Sequence, residues 1–365
     1  MSKMEKAYGQ VDLKMMEDFT SAHGISGCEK EASRVMKSYI EPFADEISYD
    51  QLGSLIAYKK GSEKVKLMLS GHIDEIGFVV RSIDDKGFIK LAPIGGWWGH
   101  VLLSQPVIIT TRDGHKYTGI VGSKPPHGLA PEVRAKVIDV KDMFVDLGVN
   151  NKEEVLSLGI KPGDMVVPKS DFTVMANPNY LMAKAWDNRV GALIVTDVFK
   201  NLKDEKVKAN VYGVGSAQEE VGLRGAKTAA YKVNPDIALA IDVTLANDIP
   251  GADMGSPMGK GITLSIQDSS ALGHRGLLNY LEDLSKELKL DVQYDLLLAG
   301  GTDSGEIHKS YDGVVALTIS IPSRYIHSHR ALIHRKDYVD TVTLITEFVR
   351  RLDDSVMESL RVANR

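Results

Sequence analysis

Histidines and carboxylates stand at the predicted ends of secondary-structure elements at five places along the chain. The apolar runs KVKLMLSG, ANVYGVGSAQ, DIALAI and GVVALTISIP each predict a strand, and AKAW leads into a predicted helix. The residues that follow these runs are His72 with Asp74, Glu219 with Glu220, Asp242, His327 and, at the helix, Asp187. Because ligands of open α/β sheets bind beyond the carboxyl ends of the strands, we expect these side chains at one edge of one sheet.

Each of these residues has an ordinary structural explanation when it is taken alone. His72 would be a hydrogen-bonded structural histidine, Glu219 and Glu220 a solvated pair, and Asp187 a helix N-cap. Together, two imidazoles and three carboxylates suit a pair of divalent cations that share one carboxylate. The absence of a thiolate favours Zn²⁺, or a similar ion such as Co²⁺ or Mn²⁺. The candidate ligands are His72, Asp187, Glu220, Asp242 and His327.

Asp74 and the pair Glu219-Glu220 fit supporting roles beside such a centre. Residues i and i+2 of a strand face the same way, so Asp74 can support His72 and fix the tautomer of its ring. Glu219 and Glu220 are neighbours and point apart in an extended chain. One of them can therefore bind a metal ion while the other reaches a metal-bound water.

The surrounding pattern predicts one α/β unit that is interrupted by a β insert. Strand and helix signals alternate within residues 1–76 and again within 172–365, where a long Gly-rich connection precedes the helix GLLNYLEDLSKELK. This alternation predicts a mixed, mostly parallel sheet with helices on both faces. Residues 77–171 carry hairpin signals and many Gly and Pro residues, so they predict a small all-β domain inserted into the larger one.

Length and composition exclude several classes of protein. The 365 residues suit a large domain with a smaller one, and the net charge of −5 argues against a nucleic-acid partner. No apolar run reaches the length of about 18 residues that a membrane-spanning helix needs. The single cysteine suits a reducing compartment, and the first residues lack an apolar signal core. We therefore expect a cytoplasmic location and no membrane partner.

Six sequence motifs resemble those of the M42 family of cocatalytic metallo-aminopeptidases: GHIDEIGF, AWDNRVGA, SAQEEVGLRGA, AIDVT, GGTDSGEIH and IPSRYIHS. That family includes glutamyl, deblocking and tetrahedral aminopeptidases, and some members carry an endoglucanase label. The motifs run in order from about residue 20 to 340, which is nearly the whole chain. The resemblance implies a phosphorylase/hydrolase-like catalytic domain, an insert that mediates dimerisation, and dimers that assemble into a tetrahedral dodecamer.

The same resemblance implies a role for each candidate residue. It implies two divalent metal ions per subunit, an aspartate whose carboxylate bridges them, a general base and an orienting residue. It also implies that the peptide bond after the bridging aspartate is cis. The implied roles are His72 and Asp242 on one ion, Glu220 and His327 on the other, Asp187 as the bridge before Asn188, Glu219 as the base and Asp74 as the residue that orients His72.

Two glycine-rich segments are further candidates for function. The turn that follows a predicted strand near residue 299 has no GK[ST] sequence for phosphate, and we expect it to let a substrate approach the backbone closely. Its residues are Gly300, Gly301, Thr302 and Asp303. In the insert, Trp97 and Trp98 follow Gly95-Gly96, and they belong either to a core or to a subunit interface.

These signals favour a metallo-aminopeptidase that releases N-terminal residues from peptides through a metal-bridging water. The free α-amino group of the substrate would bind near the metal ions. A deacylase or other amidohydrolase on the same scaffold is the alternative, because the metal centre recognises only the amide. A glycoside hydrolase needs two carboxylates that face each other across a sugar, which adjacent Glu219 and Glu220 do not provide. A non-catalytic binding protein would not need Glu219. Neither Ser304 nor Ser328 lies in a G-x-S-x-G elbow, which argues against a serine hydrolase.

Overall fold

The computed structural model describes residues 11–364, so the first ten residues of the expected α/β segment lie outside it. The strands are β1 Glu46–Tyr49, β2 Leu55–Lys59, β3 Lys66–His72, β4 Gly77–Ile83, β5 Ile89–Ile94, β6 Pro106–Thr110, β7 Lys116–Gly122, β8 Phe144–Asp146, β9 Met165–Pro168, β10 Thr173–Val174, β11 Tyr180–Ala183, β12 Asn210–Ser216, β13 Ile237–Leu245, β14 Ile262–Gln267, β15 Val292–Leu296, β16 Val315–Ser323 and β17 Ala331–His334. The helices are α1 Leu13–Ser21, α2 Lys30–Ile40, α3 Pro131–Arg134, α4 Lys152–Ser157, α5 Trp186–Asn201, α6 Arg224–Val233, α7 Arg275–Leu288, α8 Ser304–Ile307, α9 Arg335–Arg351 and α10 Asp354–Val362. Within residues 11–364, no helix combines the length and the apolar character needed to cross a bilayer.

An eight-stranded sheet forms the centre of the larger unit, in the order β1-β2-β12-β3-β13-β16-β14-β15. Its central strands β12, β3, β13 and β16 pair in parallel, and so do β14 and β15. The remaining neighbours are antiparallel. The sheet is therefore mixed with a parallel centre, which confirms the expected α/β class.

Side chains of the central strands alternate between two apolar cores, one on each face of the sheet. On β3, Leu67 and Leu69 belong to the larger core, while Met68 between them belongs to the smaller one. Residues of α1, α2, α5, α7, α9 and α10 contribute to the larger core, and residues of α6 and α8 to the smaller. Helices thus cover both faces, as expected for strands that are apolar on both sides.

A closed six-stranded barrel forms the smaller unit, in the order β4-β5-β8-β7-β6-β9. Its strands lie within residues 77–168, and it has an apolar core of its own. Trp97 packs against that core and stacks on Phe78 with ring centroids 4.8 Å apart. Trp98 is 61% exposed. The two tryptophans therefore differ: one supports the barrel core, and the other presents its indole ring to solvent.

The sequence pattern did not predict two parts of the sheet structure. The Gly-rich connection before α7 contains β14, whose residues Thr263 and Leu264 pair with β16. Strands β10, β11 and β17 form a separate three-stranded sheet. These strands are short and are flanked by glycines or turns. They are stabilised by pairing with strands far along the chain, so local periodicity does not predict them.

The parallel centre of the sheet brings four chain segments to one edge. His72 ends β3 directly opposite Ser216, which ends β12. Asp242 lies toward the end of β13, opposite Ser320 of β16. Because parallel strands end on the same side, the residues that follow them gather in one place.

Candidate active site

His72 and Asp74 form the base of the site at the end of β3. The imidazole is 1% exposed, and its Nδ1 lies 3.1 Å from the backbone oxygen of Asp74 and 3.4 Å from the Asp74 carboxylate. The ring is therefore held from behind and presents Nε2 to the site. Burial alone raises the pKa of Asp74, but hydrogen bonds from His72, Ser26 and the backbone of Glu219 lower it overall.

Asp187 stands between the two histidines. Its Oδ1 lies 3.1 Å from Nε2 of His72, and its Oδ2 lies 3.3 Å from Nε2 of His327. The peptide bond between Asp187 and Asn188 is cis, as the motif resemblance implied. The Asn188 side chain donates to the backbone oxygen of Ile241 at 2.7 Å, which ties this turn to β13. One carboxylate thus faces both imidazoles, one with each oxygen.

Glu219 and Glu220 follow β12 and point toward different histidines. Oε2 of Glu220 lies 3.4 Å from Nε2 of His327, and Oε2 of Glu219 lies 3.7 Å from Nε2 of His72. Their backbone N–H groups both donate to Asp74, at 3.0 and 3.2 Å. The divergence expected of neighbouring residues is present, and Asp74 fixes the backbone from which both side chains project.

Asp242 and His327 complete the cluster from β13 and from the loop after β16. Oδ1 of Asp242 lies 4.0 Å from Nε2 of His72 and accepts the backbone N–H of Val243 at 2.8 Å. His327 adopts a left-handed backbone conformation, with φ of 59°. At 39% its side chain is far more exposed than that of His72. The structure thus brings all seven expected residues together at one sheet edge.

The cluster concentrates negative charge away from water. Burial and the neighbouring carboxylates raise the pKa of Glu219, Glu220 and Asp242 well above the usual range. Ligand atoms lie within 4.8 Å of one another in two groups, namely His72 with Asp187 and Glu220, and His72 with Glu219 and Asp242. Oε1 of Glu220 is buried and has no hydrogen-bond partner within residues 11–364. This donor set of imidazole nitrogens and carboxylate oxygens fits divalent cations.

Two glycines of the barrel also belong to the site, and the sequence did not single them out for it. A Cβ atom on Gly95 would lie 3.3 Å from Oε2 of Glu220, and one on Gly96 would lie 3.0 Å from Nδ1 of His327. Burial lowers the pKa of His327, while hydrogen bonds with Asp187 and with the Gly96 backbone raise it overall. The Gly95-Gly96 doublet was the signal in the sequence that could have predicted this contact, because side chains at these positions would crowd Glu220 and His327.

A cavity of about 630 Å³ opens in front of the cluster. Gly300, Gly301 and Thr302 of the glycine-rich turn line it. Asp303 lies behind the cavity instead, where it is 2% exposed and accepts hydrogen bonds from Ser70 and Ser216 at 2.6 and 2.5 Å. Its carboxylate therefore joins the ends of β3 and β12 to the glycine-rich turn.

A buried ion cluster of Glu75, Lys184 and Arg189 lies next to the site, and these three residues do not line the cavity. Both carboxylate oxygens of Glu75 accept from Lys184, at 2.5 and 2.7 Å, and Arg189 lies 3.4 Å away. Burial lowers the pKa of Lys184 to about 8. Arg189 also donates to the backbone oxygen of Phe19 at 2.7 Å. The cluster joins the end of β3, the segment before Asp187 and the first helices.

Comparison with known proteins identifies the family of this chain. The model of the M42 glutamyl aminopeptidase family matches residues 53–344. The chain belongs to the M42 peptidase family. It is similar to the glutamyl aminopeptidase of Lactococcus lactis, with 31% identity over 94% of this chain and 97% of that protein. M42 peptidases hydrolyse peptide bonds, and this chain is therefore a peptide-bond hydrolase.

Solved structures of M42 peptidases share the fold. The TET aminopeptidase of the marine sediment archaeon Thaumarchaeota archaeon SCGC AB-539-E09 superposes with a TM-score of 0.93, at 39% identity, over 95% of this chain and 99% of that one. The TET1 peptidase of Pyrococcus horikoshii, which can assemble into a tetrahedron or a large octahedral shell, superposes with a TM-score of 0.84 at 31% identity, over 93% and 99% of the two chains.

Replacing Glu75 by Gln tests the buried ion cluster of this M42 peptidase. The change leaves Lys184 and Arg189 without a counter-charge in a buried setting, so we expect the free energy of unfolding to fall by about 3–5 kcal/mol. Chemical denaturation measures the loss. The matched control is Glu287→Gln, which breaks an exposed 2.7 Å pair with Arg351 and is expected to cost less than about 1 kcal/mol. Equal losses in the two variants would contradict the supporting role of the cluster.

Proposed function

We propose that this M42 peptidase is an aminopeptidase that uses two divalent metal ions to release single residues from the free N-terminus of peptides. The observation that carries the proposal is the position of Asp187, whose two oxygens lie 3.1 and 3.3 Å from the two histidines. A carboxylate that faces two imidazoles in this way suits a pair of ions that share it. Zn²⁺ is the expected ion, and Co²⁺ and Mn²⁺ suit the same donors.

In this proposal the residues divide into two ligand sets around Asp187. His72 and Asp242 would hold one ion, and Glu220 and His327 the other. Asp74 acts as a positioning residue, because it holds the His72 ring and the backbone of Glu220. Two divalent ions, when bound, supply a lowered pKa for a shared water and polarisation of the scissile carbonyl.

Glu219 is the group proposed to move the proton. Its carboxylate is nearly buried, and its pKa is raised by burial and by the neighbouring carboxylates, with His72 opposing the shift. Its backbone is fixed by the hydrogen bond to Asp74. Glu219 would accept the proton of the attacking water and deliver it to the leaving amine as the peptide bond breaks. A glycoside hydrolase remains disfavoured, because Glu219 and Glu220 point toward different histidines rather than across a sugar.

Hydrolysis of leucyl-p-nitroanilide, with N-acetyl-leucyl-p-nitroanilide as control, tests the proposed function. We expect the metal-depleted enzyme to be inactive and to regain activity with Zn²⁺, Co²⁺ or Mn²⁺. Only the free amine should be hydrolysed, since the α-amino group binds beside the ions. Cleavage of the acetylated substrate at the same rate would point to the deacylase or amidohydrolase alternative. Full activity in the metal-depleted enzyme would contradict the proposed metal centre.

The variants Glu219→Gln and His327→Ala separate proton transfer from metal binding. Glu219→Gln is expected to keep both ions and to lose at least about 100-fold in kcat, because it cannot accept a proton. His327→Ala is expected to lose one ion per chain. Metal analysis of the purified variants beside steady-state kinetics gives both answers. A Glu219→Gln enzyme with nearly full kcat would show that another residue is the base.

We also propose that the barrel within residues 77–171 acts as a dimerisation domain and that 1–76 with 172–365 forms the catalytic domain. The barrel has its own core, and its segment leaves Ile120 and Val137 about half exposed. In this proposal Ile120 and Val137 would be covered by the partner subunit in the dimer. Dimers of this kind would assemble into a closed particle, as the Pyrococcus horikoshii relative does.

Light scattering on the purified protein tests the assembly. A dodecamer of 39.9 kDa chains has a mass of about 480 kDa, which is the expected result for twelve chains in tetrahedral symmetry. A mass near that of two chains would support the dimer and contradict the closed particle. An active enzyme with the mass of one chain would contradict both parts of the assembly proposal and leave the proposed chemistry unaffected.

A further inference from the structure

Two cavities meet at His327. The larger, of about 630 Å³, is the one in front of the cluster, and the smaller, of about 520 Å³, lies beside it. Leu245, Ile326 and His327 line both cavities, so these residues form a shared wall. A bound peptide can therefore extend from one cavity into the other past the cluster.

The larger cavity offers no basic counter-charge to a substrate side chain. Outside the cluster, Asp268 is the one ionisable residue among the described residues that line it. Oδ1 of Asp268 accepts from the backbone N–H groups of Ser270 and Ala271 and from the Ser270 hydroxyl, and Oδ2 accepts from Thr302. This carboxylate therefore already accepts four hydrogen bonds, three at Oδ1 and one at Oδ2, which is close to its capacity of about four. An acidic side chain would lack a cation, and a basic one would find its carboxylate already engaged.

The remaining wall of the larger cavity carries no charge and combines the hydroxyl groups of Thr244, Ser269, Ser270 and Thr302 with a set of apolar side chains. It includes Leu223, Val243, Leu297 and the shared Leu245 and Ile326. Burying an uncompensated charge against such a surface is costly, whereas an apolar side chain gains free energy from burial. The wall therefore favours a neutral, apolar side chain of the size of leucine or methionine.

The smaller cavity has one wall from the barrel segment and one from the loop after β16. Trp98 and Gln105 come from the barrel segment, and Tyr325 and Arg330 from the loop after β16. Arg330 donates to Gln105 at 3.2 Å, which joins the two walls. Trp98 and Tyr325 are 61% and 53% exposed. Exposed aromatic rings beside a reacting centre can stack on the peptide groups of a bound chain.

We propose that His327 divides a peptide substrate between these cavities, an inference that rests on the proposed aminopeptidase function. The first residue lies in the larger cavity, which takes a neutral, apolar side chain. The second and third residues lie in the smaller cavity against Trp98. The direction follows from the carboxylates: Asp187, Glu219, Glu220 and Asp242 all line the larger cavity, and none lines the smaller. Their oxygens accept hydrogen bonds from an N-terminal ammonium group.

Leu297 lines the larger cavity alone, so its variants test the position of the first side chain. The wild-type enzyme is expected to hydrolyse leucyl-p-nitroanilide with a kcat/KM at least about tenfold above the glutamyl and lysyl substrates. Leu297→Arg should shift the glutamyl-to-leucyl ratio of kcat/KM upward about tenfold, and Leu297→Glu should shift the lysyl-to-leucyl ratio upward by a similar factor.

Trp98 lines the smaller cavity alone, so its variants test where the second and third residues bind. Leucinamide reaches only the larger cavity, while Leu-Ala-Ala extends into the smaller one. Trp98→Ala is expected to raise KM for Leu-Ala-Ala about five- to tenfold and to leave KM for leucinamide within about twofold. Trp98→Phe keeps an aromatic ring and should stay close to the wild-type enzyme with both substrates.

The two sets of variants are expected to act independently. Leu297→Arg should change selectivity for the first residue without altering the ratio between leucinamide and Leu-Ala-Ala, and Trp98→Ala should do the reverse. A glutamyl or lysyl preference in the wild-type enzyme, or equal effects of Trp98→Ala on the short and long substrates, would overturn this division of the substrate. Failure of the wild-type enzyme to hydrolyse any free-amine substrate with added metal would instead overturn the aminopeptidase proposal itself.

Discussion

The structure depends on holding four carboxylates together, largely out of water, at one edge of the sheet. Like charges a few Å apart repel by several kcal/mol in a medium of low effective dielectric, and burial adds a further penalty. Two imidazoles offset only part of that charge. The pKa values of Glu219, Glu220 and Asp242 are raised for the same reasons, namely burial and repulsion from the neighbouring carboxylates. The solvated explanation of Glu219 and Glu220 is wrong, since both side chains are largely buried beside the two histidines.

Asp74 and Glu75 hold in place the backbone segments that carry the clustered carboxylates. They are adjacent residues just after β3, and each fixes a different chain segment of the site. Asp74 accepts from the backbone of both Glu219 and Glu220, so the β12 loop keeps its position relative to His72. Glu75 pairs with Lys184 and thereby fixes the segment that leads to Asp187. The positions of the clustered side chains are thus set by buried ionic and hydrogen-bonded contacts rather than by loop conformation alone.

The sequence predicted that the residues of the cluster meet at one sheet edge, because each follows a strong local signal. His72 and Asp242 come at the ends of continuous apolar runs, and the carboxyl ends of parallel strands must meet. The hydrogen bond from the Glu219 backbone to Asp74 joins residues far apart in the chain, so no local sequence pattern predicts it. The same holds for β14, whose pairing with β16 is long-range. Asp303 was expected beside the substrate, but its side chain is turned toward Ser70 and Ser216 behind the cavity.

The point where the barrel leaves the sheet explains why it contributes to the site. The chain exits after His72, at the edge that carries the cluster, and begins the first barrel strand at Gly77. It returns through β9 and β11 to Asp187, at the same edge. An insert attached there has to lie beside the cluster, so Gly96 can contact His327 and Trp98 can form a cavity wall. The sheet edge carries the cluster, and the barrel segment supplies one wall of the smaller cavity beside it.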